Sequence, residues 1–468
     1  MKTKRWLGIA SLVPTVALVF IEQTILSVAL PTIQQDLNTS YVALQWCVNA
    51  YLLTLTVFVL ASGKLSDRMG HRNCLSLGMS IFAIASLLCG LSPNVALLIA
   101  GRALQGVGAA MMLPAQSTLV ASIFPPEKRG RATGLVVSIG AIFMVIAPLL
   151  GGYLTESLSW RWIFWVNLPV AAIGLTLIPR FLPNLEPGKQ KIDLPGFLFF
   201  ALAISSLTTL FMQANVWGWL SWKVLTCALL TLLGAVLLGF REKKISHPFL
   251  DLALFKKPKY AAINLSISIT QFIVMITVFQ TIYFQEILQF TPFQTGLLQF
   301  GSCIPVLFMP LIAGHLSDKI TPKLPIALGY LFMISAFLFL GFNSTPSLPS
   351  LVIVLILFGM GIPFIFTPSY SSAMSTIPPA KIGVGFGMLI TLRMFSATMG
   401  LALTQLFVAT VEENQLPKVG PYLAKIASFS WVHLTLAFLL IVAFALTFVL
   451  HNQKSEHHLP PSPAEGWD

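Results

Sequence analysis

The sequence predicts an all-α polytopic membrane protein with 14 transmembrane helices, and three observations carry that prediction. Of 468 residues, 56% are hydrophobic and only 9% are charged, whereas a soluble domain carries roughly a quarter charged residues. The apolar residues fall in long runs, and a spanning helix needs about 20 of them. The charges gather between the runs: 26 of the 28 Lys and Arg lie in or beside short loops. This excludes a soluble globular domain, a disordered chain and a disulfide-stapled secreted module.

The runs place spans 1 to 14 at about 7–30, 42–62, 74–92, 95–117, 130–153, 161–182, 194–213, 222–240, 260–285, 294–315, 324–342, 350–370, 382–408 and 430–450. The basic start, the first apolar run and Ser27-Val28-Ala29 share features with a cleaved secretory signal. The run is long, carries Glu22 and leads into a whole membrane domain, so it reads as a retained span 1. The connections are short and leave no separate soluble domain. Residues 451–468 are polar and Pro-rich and read as a disordered cytoplasmic tail. The five cysteines are scattered, odd in number and without a CxxC. They read as small packing residues, with no disulfide framework, metal site or cofactor implied.

Orientation follows from the cations. Alternate loops hold 22 Lys and Arg and the opposite loops hold four: Arg161, Lys223, Lys418 and Lys425. The positive-inside rule then puts both termini in the cytoplasm. The positive balance of +12 is thus topological and implies no nucleic acid. Trp160, Trp162 and Trp165, with Trp217, Trp219 and Trp222, fall at outer span ends, as an interfacial aromatic belt requires.

An internal repeat divides the chain. Gly63-Lys-Leu-Ser-Asp67-Arg68 recurs as Gly314-His-Leu-Ser-Asp318-Lys319, offset by 251 residues. Six spans with short loops take only about 180–190 residues, so two extra spans fit between the halves. The reading is 6+2+6: a bundle over 1–182, a linker with two spans over 183–259, and a second bundle over 260–450. Repeated halves are the usual build of a secondary transporter, with the substrate site between them.

The motifs narrow this. In Gly63-Lys64-Leu65-Ser66-Asp67-Arg68-Met69-Gly70-His71-Arg72 the glycines allow a tight turn and close helix approach, and the arginines suit carboxylates or carbonyls. The string resembles the signature loop of the major facilitator superfamily, with His71 where Arg or Lys is usual. The resemblance implies a cytoplasmic latch built on Gly63, Asp67, Arg68, Gly70 and Arg72, with Asp318 in the second half. The plain alternative is a solvated loop.

In span 4, Arg102, Gln105 and Gly106 share one helix face. An arginine inside a membrane helix costs at least ~2.5 kcal/mol unless paired or hydrated, so it should face inward. This stretch resembles the family's span 4 motif, whose arginine is tied to proton coupling. A purely structural arginine is the alternative. Span 5 carries Gly140, Pro148, Gly151 and Gly152, a kink with small packing residues. It resembles the family's antiporter motif, although Ala147 stands where a glycine is usual. Ordinary small-residue packing is the alternative.

Glu22 to Ile33, Leu44 to Leu53 and Trp160 to Pro169 resemble the fourteen-helix drug–proton antiporter branch, over essentially the whole chain to about residue 450. That branch usually has Asp at the position of Glu22 and Asn at that of Ser27. The carboxyl function survives with one more methylene of reach.

Glu22 is the only acid placed deep in a span. It lies ~22 Å along span 1, or ~8 Å below the outer surface of a ~30 Å core. Arg102 lies ~10 Å below the outer end of span 4. The depths agree, and the family fold brings spans 1 and 4 together. Glu22 and Arg102, with Gln105, are therefore expected to form a proton-responsive pair, because burial and a neighbouring arginine oppose one another in setting carboxyl ionisation. Simple neutralisation of Arg102 is the alternative. Arg393 in span 13 has no buried acid opposite it, and either an anionic substrate group or backbone carbonyls would satisfy it. Gln23, Gln45, Asn49, Gln271 and Gln280 are further cavity candidates.

An ATP-driven pump lacks its phosphate loop here, and a membrane enzyme lacks HExxH, GxSxG or a His/Asp cluster. A receptor would need an effector domain. With these classes set aside, the resemblance implies a monomeric, non-enzymatic, proton-driven exporter of lipophilic monocations, and it is the resemblance alone that implies a bacterial inner membrane. The rival is a dedicated exporter of one metabolite, siderophore or lipid.

Overall fold

The computed structural model describes residues 2–124, 126–185, 188, 193–245, 252–377 and 382–450. The expected tail 451–468 and the cations Lys189, Lys191, Lys381 and Lys454 lie outside the described residues. Among these residues the structure is helical, without a strand. Thirteen helices are long and apolar enough to cross a membrane, and one bent pair makes a fourteenth.

Span 1 is Lys2–Glu22 followed by Ile25–Asp36, with a 50° bend between them. Spans 2 to 5 are Tyr41–Met69, His71–Gly90, Val95–Ile123 and Pro126–Ser157. Span 6 is Trp162–Trp165 with Asn167–Phe181; spans 7 and 8 are Leu194–Trp217 and Trp222–Lys244. Span 9 is Pro258–Val274 with Ile276–Glu286, and span 10 is Pro292–Cys303 with Pro305–Lys319. Spans 11 to 14 are Lys323–Phe342, Leu348–Thr376, Ile382–Val419 and Pro421–Leu450. The end of the molecule where span 1 starts is called basal below, and the opposite end distal.

Several distal starts are fixed by side-chain caps, which satisfy first-turn N–H groups. Ser40 accepts from Ala43 N at 3.2 Å and Asn94 from Leu97 N at 2.9 Å. Thr291 and Gln294 form a reciprocal capping box on span 10. The breaks in spans 6 and 10 follow from Pro169 and Pro305, which lack an N–H and crowd the preceding turn.

Three expectations change. Span 1 is not one rod over 7–30: it breaks at Gln23–Thr24, where Thr24 Oγ1 donates to Met144 O of span 5 at 3.1 Å. The loop expected over Gly63 to Arg72 is mostly helix, and its tight turn is confined to one residue. Span 2 stays helical to Met69 and only Gly70, at φ +85°, makes the turn. The extra turns hold because Ser66 is fully buried and bonds His71 Nδ1 at 2.7 Å. Trp160, finally, is 2% exposed and donates to Asp36 Oδ2 at 2.9 Å, so it is a core residue and not a belt residue. Its indole closes the distal corner between spans 1 and 6. Trp219 and Trp222 are exposed, as a belt residue would be.

Spans 1 to 6 and spans 9 to 14 meet at the distal end through very close backbone approaches. A Cβ on Gly152 would sit 2.5 Å from Pro292 O, and one on Gly296 would sit 2.4 Å from Pro148 O. Gln285 Nε2 donates to Val28 O at 2.8 Å, and Phe293 N donates to Glu156 at 2.9 Å. Small residues permit such approaches where lipid offers no hydrophobic drive between helices. At mid-depth, spans 2 and 13 touch through Thr56 and Thr398, 3.3 Å apart. Span 7 lies along that seam: Phe197 stacks edge-on against Phe58, and Asn215 donates to Leu406 O at 3.4 Å. Span 8 packs on span 7 through Gly234 and Ser206–Thr231 and leaves Leu225, Leu229, Leu232 and Phe240 exposed.

Candidate functional site

The break in span 1 leaves Glu22 as the last residue of its first segment. The break in span 6 leaves Asn167 as the first residue of its second. The two breaks meet on Arg102 of span 4. Arg102 Nη1 pairs with Glu22 Oε1, and both side chains are almost completely buried. Arg102 Nε donates to Cys47 O of span 2 at 2.8 Å, and Nη1 also reaches Gln105 Oε1 at 2.8 Å. Gln105 passes its own amide to Ser86 Oγ at 2.8 Å. Asn167 Nδ2 donates to Glu22 Oε2 at 3.2 Å and lies 3.4 Å from Ser86 Oγ. The guanidinium lies over the Tyr51 ring at 4.6 Å and at 6.0 Å from that of Phe164.

A buried ion pair is sustained only when further hydrogen bonds satisfy the remaining atoms. Here five spans contribute. A proton on Glu22 would cancel half of the pair and leave Arg102 held by Gln105 and the Cys47 carbonyl. The cluster thus ties spans 1, 2, 3, 4 and 6 to one carboxylate.

The predicted pair is therefore in contact, with Gln105 beside it. Sequence reasoning did not include Asn167, Ser86, Cys47 or Tyr51 in the site. Asn167 lies in the Trp160 to Pro169 stretch, and an Asn beside the helix-breaking Pro169 is the signal that points to it.

The other candidates separate. Arg393 is partly buried and donates through Nε to Gln271 Oε1 at 2.7 Å and through Nη1 to Tyr370 Oη at 3.0 Å, with Phe366 4.9 Å beneath it. Its described partners are neutral side chains of spans 9 and 12. Gln45, Asn49 and Gln280 are buried. Gln23 is exposed and bonds Val19 O of its own helix at 3.5 Å. Asp67 Oδ1 lies 3.5 Å from His71 Nε2, and its carbonyl accepts from Gly188 N at 2.7 Å. Arg72 reaches Pro179 O at 3.4 Å. Glu286, at the distal end of span 9, pairs with Lys425 at 2.7 Å.

In the antiporter-motif stretch, Gly140 and Gly151 press on span 1, with added Cβ atoms 2.8 Å from the Phe20 ring and 2.7 Å from Ile25 O. Pro148 and Gly152 press on span 10. That stretch is thus a packing surface for both the broken span and the opposite half.

A bundle of this many apolar spans, with a buried ion pair where two helices break, defines a multi-pass membrane protein of the transporter class. A family model described as Major Facilitator Superfamily matches residues 12–401. The chain belongs to that superfamily and is a membrane transporter. It is 31% identical over 388 residues to the multidrug resistance protein Stp of Mycobacterium tuberculosis, covering 82% of this chain and 72% of that one. It is 32% identical over 412 residues to the riboflavin transporter RibZ of Clostridioides difficile, covering 87% and 89%. Among solved structures, a bacterial homologue of the human lysosomal transporter Spinster superposes with a TM-score of 0.69 at 17% identity, covering 96% of this chain and 97% of that one. This last likeness shows the fold.

Proposed function

We propose that the protein is a proton-coupled exporter of lipophilic drugs, working by antiport and alternating access. The single observation that carries this is the buried Glu22–Arg102 pair at the break of span 1, held by Asn167 and Gln105. One carboxyl, one counter-ion and a bend supply what proton-linked rocking requires. A proton changes the pair, the pair grips five spans, and those spans belong to one half. The halves are the bundles over 1–182 and 260–450, which rock about the distal contacts of spans 5 and 10. The 22-to-4 cation bias supports an orientation with both termini cytoplasmic, and likeness to bacterial transporters supports a bacterial inner membrane. Likeness to a multidrug resistance protein supports drugs as substrates.

A second reading has its own support. Likeness to a riboflavin transporter, and an Arg393 held by neutral groups in the second half, favour a dedicated exporter of one metabolite. Ethidium transport into everted vesicles decides between them. The drug reading expects accumulation that collapses with the imposed pH gradient and is absent in Glu22→Gln. No accumulation by folded wild type would overturn it.

A further inference from the structure

Asn49 is completely buried, yet neither its amide nitrogen nor its amide oxygen has a hydrogen-bond partner. Gln405 of span 13 is 3% exposed, and its Oε1 is also without a partner. The two belong to one seam. Thr56 and Thr398 fix the register of spans 2 and 13 by meeting at 3.3 Å. Asn49 lies seven residues before Thr56, and Gln405 lies seven after Thr398. Seven residues are nearly two whole turns, so each amide shares the face of its threonine. The spans run antiparallel, which brings both amides to the same level on the distal side of the threonine contact.

That level is also the level of the ion pair. Cys47, two residues before Asn49, accepts from Arg102 Nε at 2.8 Å, and Tyr51, two residues after, lies 4.6 Å beneath the guanidinium. Residues two positions away on either side lie on the opposite flank of a helix. Span 2 therefore turns one flank to Glu22–Arg102 and the other, with Asn49, to the seam.

A buried amide left unbonded costs more than a bonded one gains, so natural cores rarely keep one without a use. We propose that Asn49 and Gln405 form a hydrogen-bonding station in the seam, taking the amide- or imide-type edge of a neutral substrate group. The chemistry follows from the side chains. A carboxamide offers a donor and an acceptor side by side, and only a group with the same pair meets both. A cation would leave the donor unmet and a carboxylate the acceptor. Gln45, one turn further out on span 2, is also buried, and neither atom of its amide has a partner. The inference rests on the transporter reading above and names a substrate class for it. It also explains how occupancy is felt at the ion pair, since both act on one span.

The test uses the full chain in lipid nanodiscs. Binding of lumiflavin, a neutral ring with an imide edge, is compared with binding of its N3-methyl derivative by flavin fluorescence. Wild type is expected to prefer lumiflavin about tenfold, the scale of one hydrogen bond to a buried amide. Asn49→Leu should erase that preference and melt no lower than wild type, because no existing bond is broken. A bonded structural amide would instead lower the melting point. Gln405→Met repeats the comparison if Asn49→Leu does not fold. Equal affinity for both flavins, including no binding of either, overturns the station and leaves the amides to ordered water. So does a preference that survives in both variants. Ethidium transport by wild type in everted vesicles keeps the two readings apart. Intact transport with no flavin discrimination sinks the station alone, and absence of both sinks the drug-exporter reading as well.

Discussion

Asn167 donates to the second oxygen of Glu22 at 3.2 Å, across 145 residues of chain. The bond joins the break of span 6 to the break of span 1. It leaves Glu22 Oε1 for Arg102, so the carboxylate is shared between a neutral donor and a charged one. Loss of the charge on Glu22 therefore weakens two inter-span contacts together.

Removing that charge has a predictable signature. Glu22→Gln leaves Arg102 buried without a counter-charge, a loss of about 3–5 kcal/mol for a pair this deeply enclosed. The melting point in detergent should fall. The double variant Glu22→Gln, Arg102→Gln should recover most of it, because no lone charge remains. Proton-driven transport should stay absent in both. Recovery of transport by the double variant would contradict the role given to the pair.

The distal seal of spans 5 and 10 is set by backbone, which cannot step aside. Gly296→Ala would place a methyl 2.4 Å from Pro148 O. The spans must separate, and the distal side should open more often. A reporter cysteine replacing Ser27, which faces Gln299 at 3.4 Å, should then react faster with a membrane-impermeant maleimide. An unchanged labelling rate would place the seal elsewhere.

Two neighbours at the distal corner should differ in worth. Arg161 pairs with Asp36 at 2.8 Å, but Asp36 is exposed and Arg161 only half-buried, at 46% and 29%. Arg161→Ala should cost no more than about 1 kcal/mol, and less in salt. Trp160 bonds the same carboxylate from a 2% exposed position. Trp160→Ala removes a buried aromatic as well, for about 3–5 kcal/mol. Thermal unfolding of the two variants checks the order.

Arg393 is held by geometry as well as by charge. Its Nε and Nη1 reach Gln271 and Tyr370 in different directions, with Phe366 beneath. Lysine keeps the charge but not the planar fork. Arg393→Lys should therefore lose roughly 1–3 kcal/mol of stability from the unmade bonds. Wild-type melting in that variant would assign Arg393 to charge alone.

The legible part of the site is the part that depth controls. Glu22 and Arg102 could be matched because residue number along a span is height in the membrane, and a buried charge there needs an opposite one. Asn167 and Ser86 carry no charge, so depth alone did not single them out. The string around Asp67 was legible as a motif but not as a shape, because continuation of span 2 to Met69 depends on where Ser66 is buried. Gln405 was not among the cavity candidates for a related reason. Its significance appears only against Asn49, from the other half of the chain.

The sequence by itself determined the number of spans, the repeat that relates the halves, and the ion pair that the first half must bury. Each is a one-dimensional property: apolar length, spacing, and the cost of a lone charge in lipid. Tertiary structure alone decided the breaks in spans 1 and 9, the neutral groups around the pair, and which glycines carry the distal seal. Spans are apolar on nearly every face, and lipid is as apolar as the side chains they present. Hydrophobicity therefore records that a helix crosses the membrane, and the close fit between helices decides what it touches there.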